Sequence, residues 1–208
     1  MAEALLRAEG LAAFRGERLV LRDIDFSVPA GGALLLAGPN GSGKSTLLRL
    51  LAGLLRAAAG RMLWNGRDAL ADLAEHAGRV AYLGHQDAIK PGLSAAENLA
   101  FFARIGGGDV MAALAGLGLA DLADLPARML SAGQKRRLAL ARLALSPATL
   151  WLLDEPTLGL DAGSVEMLGE MLAAHRGRGG IVVAATHLPL PLPGATELRL
   201  KRAVVVVQ

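Results

Sequence analysis

The chain predicts an α/β fold in which a helical lobe interrupts a sheet-based core, and three observations carry that expectation. An apolar stretch, Ala33-Leu34-Leu35-Leu36-Ala37, runs straight into a glycine-rich loop and then into a helical stretch from Leu47 to Leu55. A second apolar stretch, Leu150-Trp151-Leu152-Leu153, ends in the acids Asp154-Glu155. Between them, from about 94 to 148, the pattern is helical. With 208 residues, one domain accommodates all three: core segments 1–86 and 149–208, and a helical subdomain over 87–148.

The elements follow in order. The first thirty or so residues read as short strands, with Leu19-Val20-Leu21 and Ile24-Asp25-Phe26-Ser27-Val28 set between charged turns. Pro29-Ala30-Gly31-Gly32 is a turn, and Arg61-Met62-Leu63-Trp64 enters a tight turn at Asn65-Gly66. Val80 to Gly84 is a further strand. Ser94-Ala95-Ala96-Glu97 resembles a capping box, and its helix is broken by Gly106-Gly107-Gly108. Helical spacing resumes from Val110 to Leu117, and a third helix spans about Ala132 to Leu145, stopped before Pro147. Ile181 to Ala185 returns to strand, and Ala203 to Val207 is expected to form a last one.

Composition removes several classes of function. The chain has no cysteine, so it has no disulfide framework and no Cys-ligated metal, and it suits the cytosol. Its net charge of +3 is small, and Lys135-Arg136-Arg137 is the one basic cluster, so nucleic-acid binding has no compositional support. No apolar run approaches the ~18–20 residues that span a bilayer, and the N-terminus does not read as a signal peptide. Any work at a membrane is expected from its cytoplasmic side, through another chain. His76, His85 and His175 read as surface or loop residues.

Gly38-Pro39-Asn40-Gly41-Ser42-Gly43-Lys44-Ser45-Thr46 fits the phosphate-binding pattern G-x-x-x-x-G-K-[ST], in the strand–loop–helix setting that the pattern requires. Glycines let successive N–H groups turn inward on a polyphosphate, and the helix adds its positive end. Lys44 supplies an ammonium for β- and γ-phosphates, and Ser45 a hydroxyl for Mg²⁺. Asp154, at the carboxyl end of its strand, is placed to hold Mg²⁺. Glu155 is placed to accept a proton from an attacking water. Ser131, Gly133 and Gln134 open a helix; Ser131 can simply cap it, or the segment can form a second anion site. Since the first loop holds its own nucleotide, such a site would serve the nucleotide of another molecule.

In these residues the chain resembles the nucleotide-binding subunits of ATP-binding-cassette (ABC) transporters. That family's L-S-G-G-Q signature stands here as Leu130-Ser131-Ala132-Gly133-Gln134, with Ala132 in place of a glycine. The resemblance covers essentially the whole chain. It implies a phosphate-loop ABC-ATPase fold: a RecA-like core, an N-terminal antiparallel β subdomain and an inserted helical subdomain. It also implies ATP and Mg²⁺ as ligands and ATP hydrolysis coupled to transport. Gln86 matches the glutamine that touches Mg²⁺ and the water, and that moves when the helical lobe rotates. His187 matches the switch histidine at the γ-phosphate, and Asp161 the aspartate of a loop that crosses a dimer interface. Phe14 lies about where an adenine-stacking aromatic is expected, although plain core packing also suits it.

A narrower resemblance is to the ATP-binding subunits of cytochrome c maturation, known as haem exporters. It rests on Gly84-His85-Gln86-Asp87-Ala88-Ile89-Lys90, on Leu93 to Leu99, and on Gly179-Gly180-Ile181 with Thr186-His187-Leu188-Pro189-Leu190. It implies a head-to-tail homodimer, an integral-membrane permease docked near residues 86–105, and accessory haem-handling membrane proteins. The implied location is peripheral, at the cytoplasmic face of the bacterial inner membrane. No residue in the chain speaks of haem itself. A transporter ATPase for another cargo, such as an amino acid, lipid or metal, remains open at this point. So does a superfamily ATPase acting on DNA or ribosomes, though this chain lacks the long coiled coil or second cassette usual there.

Overall fold

The computed structural model describes residues 4–201. Its strands fall into two sheets. The first is antiparallel, in the order β2-β1-β4-β5, and is built from β1 (Ala4–Arg15), β2 (Arg18–Pro29), β4 (Ala59–Trp64) and β5 (Arg67–Asp68). The second is parallel, in the order β6-β7-β8-β3-β9, from β3 (Ala33–Ala37), β6 (Val80–Leu83), β7 (Leu150–Asp154), β8 (Ile181–Ala185) and β9 (Thr196–Arg199). Helix α1 (Lys44–Leu51) follows β3, and α2 (Leu73–Gly78) precedes β6. Helices α3 (Ala95–Gly106), α4 (Val110–Ala115) and α5 (Ala132–Ala144) lie between β6 and β7, and α6 (Ala162–Gly177) joins β7 to β8. The expected α/β class is borne out.

Whereas the edge strand β9 is largely exposed, the central parallel strands β7 and β8 are buried on both faces, as strands covered on both sides must be. Their side chains alternate between two cores. Leu150, Leu152, Ile181 and Val183 face the first, where Leu47, Leu48, Leu50 and Leu51 of α1 meet Leu6, Leu11, Leu21 and Met62 of the antiparallel sheet. That helix buries its leucines against both sheets and leaves Ser45 and Arg49 on its exposed side. Trp151, Leu153, Val182 and Ala184 face the second core, with Leu99, Leu114, Leu138 and Leu168 of the helices.

Several elements differ from the sequence reading. The early short strands are two long ones of 12 residues each. Asp23, left-handed at φ 49°, kinks β2 between the two pieces that were legible, and register shifts interrupt the β1–β2 ladder. Neither α2 nor α6 nor β9 was anticipated, and the strand expected over 203–207 lies outside the described residues. His76 and His175 are buried, contrary to their surface assignment. His76 Nε2 lies 2.8 Å from the Leu51 carbonyl oxygen. His175 stacks on Trp151 with ring centroids 3.8 Å apart. The capping box of α3 forms as expected: Glu97 N–H donates to Ser94 Oγ, and Ser94 N–H to Glu97 Oε2.

Candidate active site

The phosphate loop joins the carboxyl end of β3 to α1, and its geometry follows from its glycines. Gly43, at φ 100°, opens the helix in a left-handed conformation, and no side chain caps it. A Cβ there would stand 2.8 Å from Leu21 Cδ2, so the loop is also pressed against β2. The residues carrying the helix's leading N–H groups, Lys44, Ser45 and Thr46, line an open cleft of about 220 Å³ together with Asn40, Gly41 and Gly43. Lys44 Nζ donates to the Gly38 carbonyl at 2.7 Å and to that of Pro39 at 3.3 Å, so the ammonium is held inside the loop. Ser42 is buried with its hydroxyl unpartnered among the described residues.

Across the cleft stands the carboxyl end of β7. Asp154 is buried there, and its charge, second to burial, pushes the Tyr82 phenol pKa upward. Glu155 follows at φ 48°, a left-handed conformation that is unusual outside glycine. Its backbone N–H donates to the Ala185 carbonyl at 2.7 Å. Its carboxylate receives the His187 backbone N–H at 3.2 Å and lies 3.6 Å from His187 Nε2. Glu155, Asp154 and His187 thus meet Lys44 and Ser45 at one cleft, although more than a hundred residues of sequence separate the two groups. The arrangement can receive a polyphosphate on N–H groups and an ammonium, with carboxylates and an imidazole on the facing wall.

Mg²⁺ takes oxygen ligands, keeps several waters and shares phosphate oxygens. The Ser45 hydroxyl and the Asp154 carboxylate both line the cleft and fit that role.

The remaining sequence-predicted residues lie elsewhere. Gln86 is exposed, and its neighbour His85 lines the cleft in its stead. Phe14 is 48% exposed and is not among the lining residues, whereas Arg15 and Val20 are. Ser131 and Gln134 close a capping box on α5: Gln134 N–H donates to Ser131 Oγ at 3.2 Å, and Ser131 N–H to Gln134 Oε1 at 2.8 Å. Gly133 lies against the Gly159 carbonyl, which puts the start of α5 beside the loop leading to Asp161. Asp161 caps α6 by accepting the Ser164 N–H at 2.8 Å, and the bonds from Ser164 lower its pKa. None of Ser131, Gly133, Gln134 and Asp161 lines the cleft of its own chain.

Sequence reasoning missed Arg136. Read as part of a basic cluster, it is 5% exposed and spans from α5 to Gly84, Asp87 and the end of β7. A signal was present: Arg136 shares its helix face with Ala139, Leu140 and Leu143, an apolar stripe at i+3, i+4 and i+7.

The ABC transporter family pattern matches residues 21–158, from β2 through the loop, the start of α5 and the end of β7. The chain belongs to the ABC transporter family. The cytochrome c biogenesis ATP-binding export protein CcmA of Paramagnetospirillum magneticum is 52% identical over 212 aligned residues, covering 99% of this chain and 98% of its own. The protein of the same name from Rhodospirillum rubrum is 54% identical, covering 96% and 87%. Among solved structures, a putative ABC transporter ATP-binding protein from Pyrococcus furiosus superposes with a TM-score of 0.81 at 25% identity, over 94% of this chain and 96% of its own. An ABC cassette solved in its ADP conformation, MJ1267, superposes with a TM-score of 0.80 at 23% identity, over 96% and 88%, and shares the fold. The resemblance read from Gly38–Thr46, Leu130–Gln134 and Asp154-Glu155 is borne out at the level of family and fold.

Proposed function

We propose that this chain is the ATP-hydrolysing subunit of an export system for cytochrome c biogenesis, acting as a head-to-tail homodimer. The carrying observation is the convergence of Lys44, Ser45, Asp154, Glu155 and His187 on one cleft. ATP lies with its phosphates on the Gly38–Thr46 loop of one subunit and against Ser131, Gly133 and Gln134 of the other. The exposure of Ser131 and its position outside the same-chain cleft support a role across an interface. Asp161 belongs to that interface, and Phe14 stacks on adenine beside Arg15 and Val20. Ser45 and Asp154, with Gln86 brought in on closure, would hold Mg²⁺, which would supply neutralisation of phosphate charge. Glu155 takes a proton from the attacking water, and His187 and Lys44 steady the γ-phosphate. Closure of the sandwich brings Gln86 in and excludes water.

The membrane partner is an integral permease, with accessory haem-handling proteins, at the cytoplasmic face of the inner membrane. No helix among the described residues is long and apolar enough to cross a membrane. Phe101 and Ile105 of α3, 62% and 70% exposed, support docking on the helical segment 87–148. The names of the relatives above support the cytochrome c assignment.

Glu155→Gln tests the reading. Losing the base lowers turnover by ~10²–10⁴-fold while ATP binding survives. Light scattering after size exclusion shows a dimer with Mg-ATP and none without it. Cells carrying only this variant lose haem-stained c-type cytochromes. Wild-type turnover would move the base to another residue, and normal c-type cytochromes would point to another cargo.

A further inference from the structure

Arg136 is the one side chain of α5 whose charge is buried inside the apolar stripe of that helix, and its bonds run to the catalytic side of the molecule. Burying a guanidinium is costly unless its donors are satisfied. Here every nitrogen is used. Nε donates to the Pro156 carbonyl at 3.4 Å. Nη1 donates to Asp87 Oδ1 at 2.8 Å and to the Gly84 carbonyl at 3.3 Å. Nη2 donates to the carbonyls of Asp154 at 2.9 Å and Glu155 at 2.6 Å. The acceptors form two groups: residues on either side of Gln86, and three successive carbonyls around Glu155. A planar fork with five donors can join them, and a lysine ammonium cannot.

What the fork holds is a strained backbone. A non-glycine residue at φ 48° persists where its surroundings over-determine it. Glu155 is pinned on one side by its N–H to Ala185 and on the other by Arg136 on its carbonyl. Between these two anchors the carboxylate reaches His187. Asp87 supplies the counter-charge from the loop between β6 and α3, with 30% of its side chain exposed, so it can be altered without opening a core. Further along α5, burial lowers the Arg142 pKa, and the Asp87 charge opposes that shift. The same helix begins at Ser131, so any movement of the start of α5 is passed rigidly to Arg136.

We propose that Arg136 is a positioning residue for hydrolysis. It fastens the backbone of Glu155 to the 84–87 loop and to α5, with Asp87 keeping the guanidinium in place, so that the carboxylate is aligned only while the helical segment is docked. This rests on Glu155 as the group that serves the attacking water. Arg136 touches neither nucleotide nor water; it acts through Glu155 and through the loop that carries Gln86.

The test measures ATP turnover and KM in the complex purified with its membrane partner. Misplacing a reacting group by about 1 Å costs on the order of 10²-fold, so Arg136→Lys, which loses the fork, lowers kcat at least thirtyfold. Asp87→Ala, in a partly exposed loop, lowers kcat about tenfold while the KM for ATP stays within about twofold. Asp87→Glu restores most of that loss, which a purely steric role of the loop would not explain. In single-turnover measurements on a Glu155→Gln background, Asp87→Ala brings no further loss, because the residue it works through is gone. Wild-type kcat in both Asp87→Ala and Arg136→Lys overturns the proposal. So does a loss that persists in full on the Glu155→Gln background. Wild-type turnover of Glu155→Gln by itself would instead remove the assignment of the base, a distinguishable result.

Discussion

Two helices of this chain, α1 at the cleft and α5 at the proposed interface, begin differently. α1 opens at a left-handed glycine with no capping side chain, so its leading N–H groups belong to whatever enters the cleft. α5 opens at Ser131 with a closed capping box, so two of its donors already have partners. The first site is built to be completed by a ligand; the second is stable before one arrives. α3 sharpens the contrast. It has the same box, Ser94 with Glu97, but the reaching residue is a carboxylate that quenches the positive helix end. In α5 that residue is the neutral Gln134, which satisfies the backbone and leaves the dipole unquenched. An anion approaching α5 from a second subunit therefore meets an ordered yet still positive surface.

The largest expected effect tests the open end. Lys44→Ala removes a charge-assisted contact worth on the order of 1.5–3 kcal/mol, so ATP binding weakens tenfold or more and hydrolysis is nearly abolished. Lys44 also ties the loop to itself through Gly38 and Pro39, so the loop loosens as well. Mixing this variant with Ser131→Arg, which is blocked only at α5, rebuilds one site from the two intact halves. ATPase assays on the mixture, with subunit exchange confirmed, show activity above either variant alone. Unchanged turnover by Lys44→Ala, or no gain in the mixture, would break the contrast between the two helix ends.

The open end was legible in the sequence and the contacts of Arg136 were not, for a physical reason. Gly38 to Thr46 is nine consecutive residues whose function is local, and Asp154-Glu155 closes an uninterrupted apolar strand. Such signals need no tertiary knowledge. Arg136 bonds to partners 49 and 52 positions away, so in the sequence it stood only as one member of a basic cluster. His175 read as surface because nothing local announces the Trp151 ring on which it stacks. The long strands β1 and β2 were hidden by Asp23 and the bulges, which interrupt the alternation that marks a strand.

A second effect, on stability, distinguishes the far ends of the same helices. The last turn of α5 carries Arg142, cationic at any physiological pH, whereas the final carbonyl of α1 is held by His76. Burial lowers the His76 pKa below its ordinary 6.5, the Arg79 charge adds to this, and the bond to Leu51 opposes it. With Nε2 on the carbonyl, a second proton would go to Nδ1, which is buried and unpartnered among the described residues. His175 is shifted the same way, mainly by burial. The unfolded chain therefore binds more protons than the folded one below pH 6.5. This contribution to stability is full above that pH and is lost as pH falls from it toward the folded-state values. The melting temperature drops on acidification from pH ~7.5 to ~5.5, and His76→Gln flattens the drop. A wild-type melting temperature equal at both values would show that neither histidine is held neutral.

The smallest expected effect separates capping from anion binding at α5, with α3 as the internal standard. Ser131→Ala and Ser94→Ala each remove an N-cap oxygen from an exposed box, which costs about 1 kcal/mol. For a chain of this size that lowers the melting temperature by roughly 2–4 °C. The two variants should agree within error, since both hydroxyls accept the N–H three residues on, at 3.1 Å from Glu97 and 3.2 Å from Gln134. Turnover is where they part. The Ser94 hydroxyl sits behind a carboxylate and takes no part in the cleft or in the proposed interface, so Ser94→Ala keeps its ATPase rate. Ser131→Ala loses a donor to the facing γ-phosphate and turns over several-fold more slowly, at saturating ATP as well as below it. Equal melting shifts with equal turnover would reduce Ser131 to a cap like any other. The neutral Gln134 would then be only half of that cap, with no anion to leave room for.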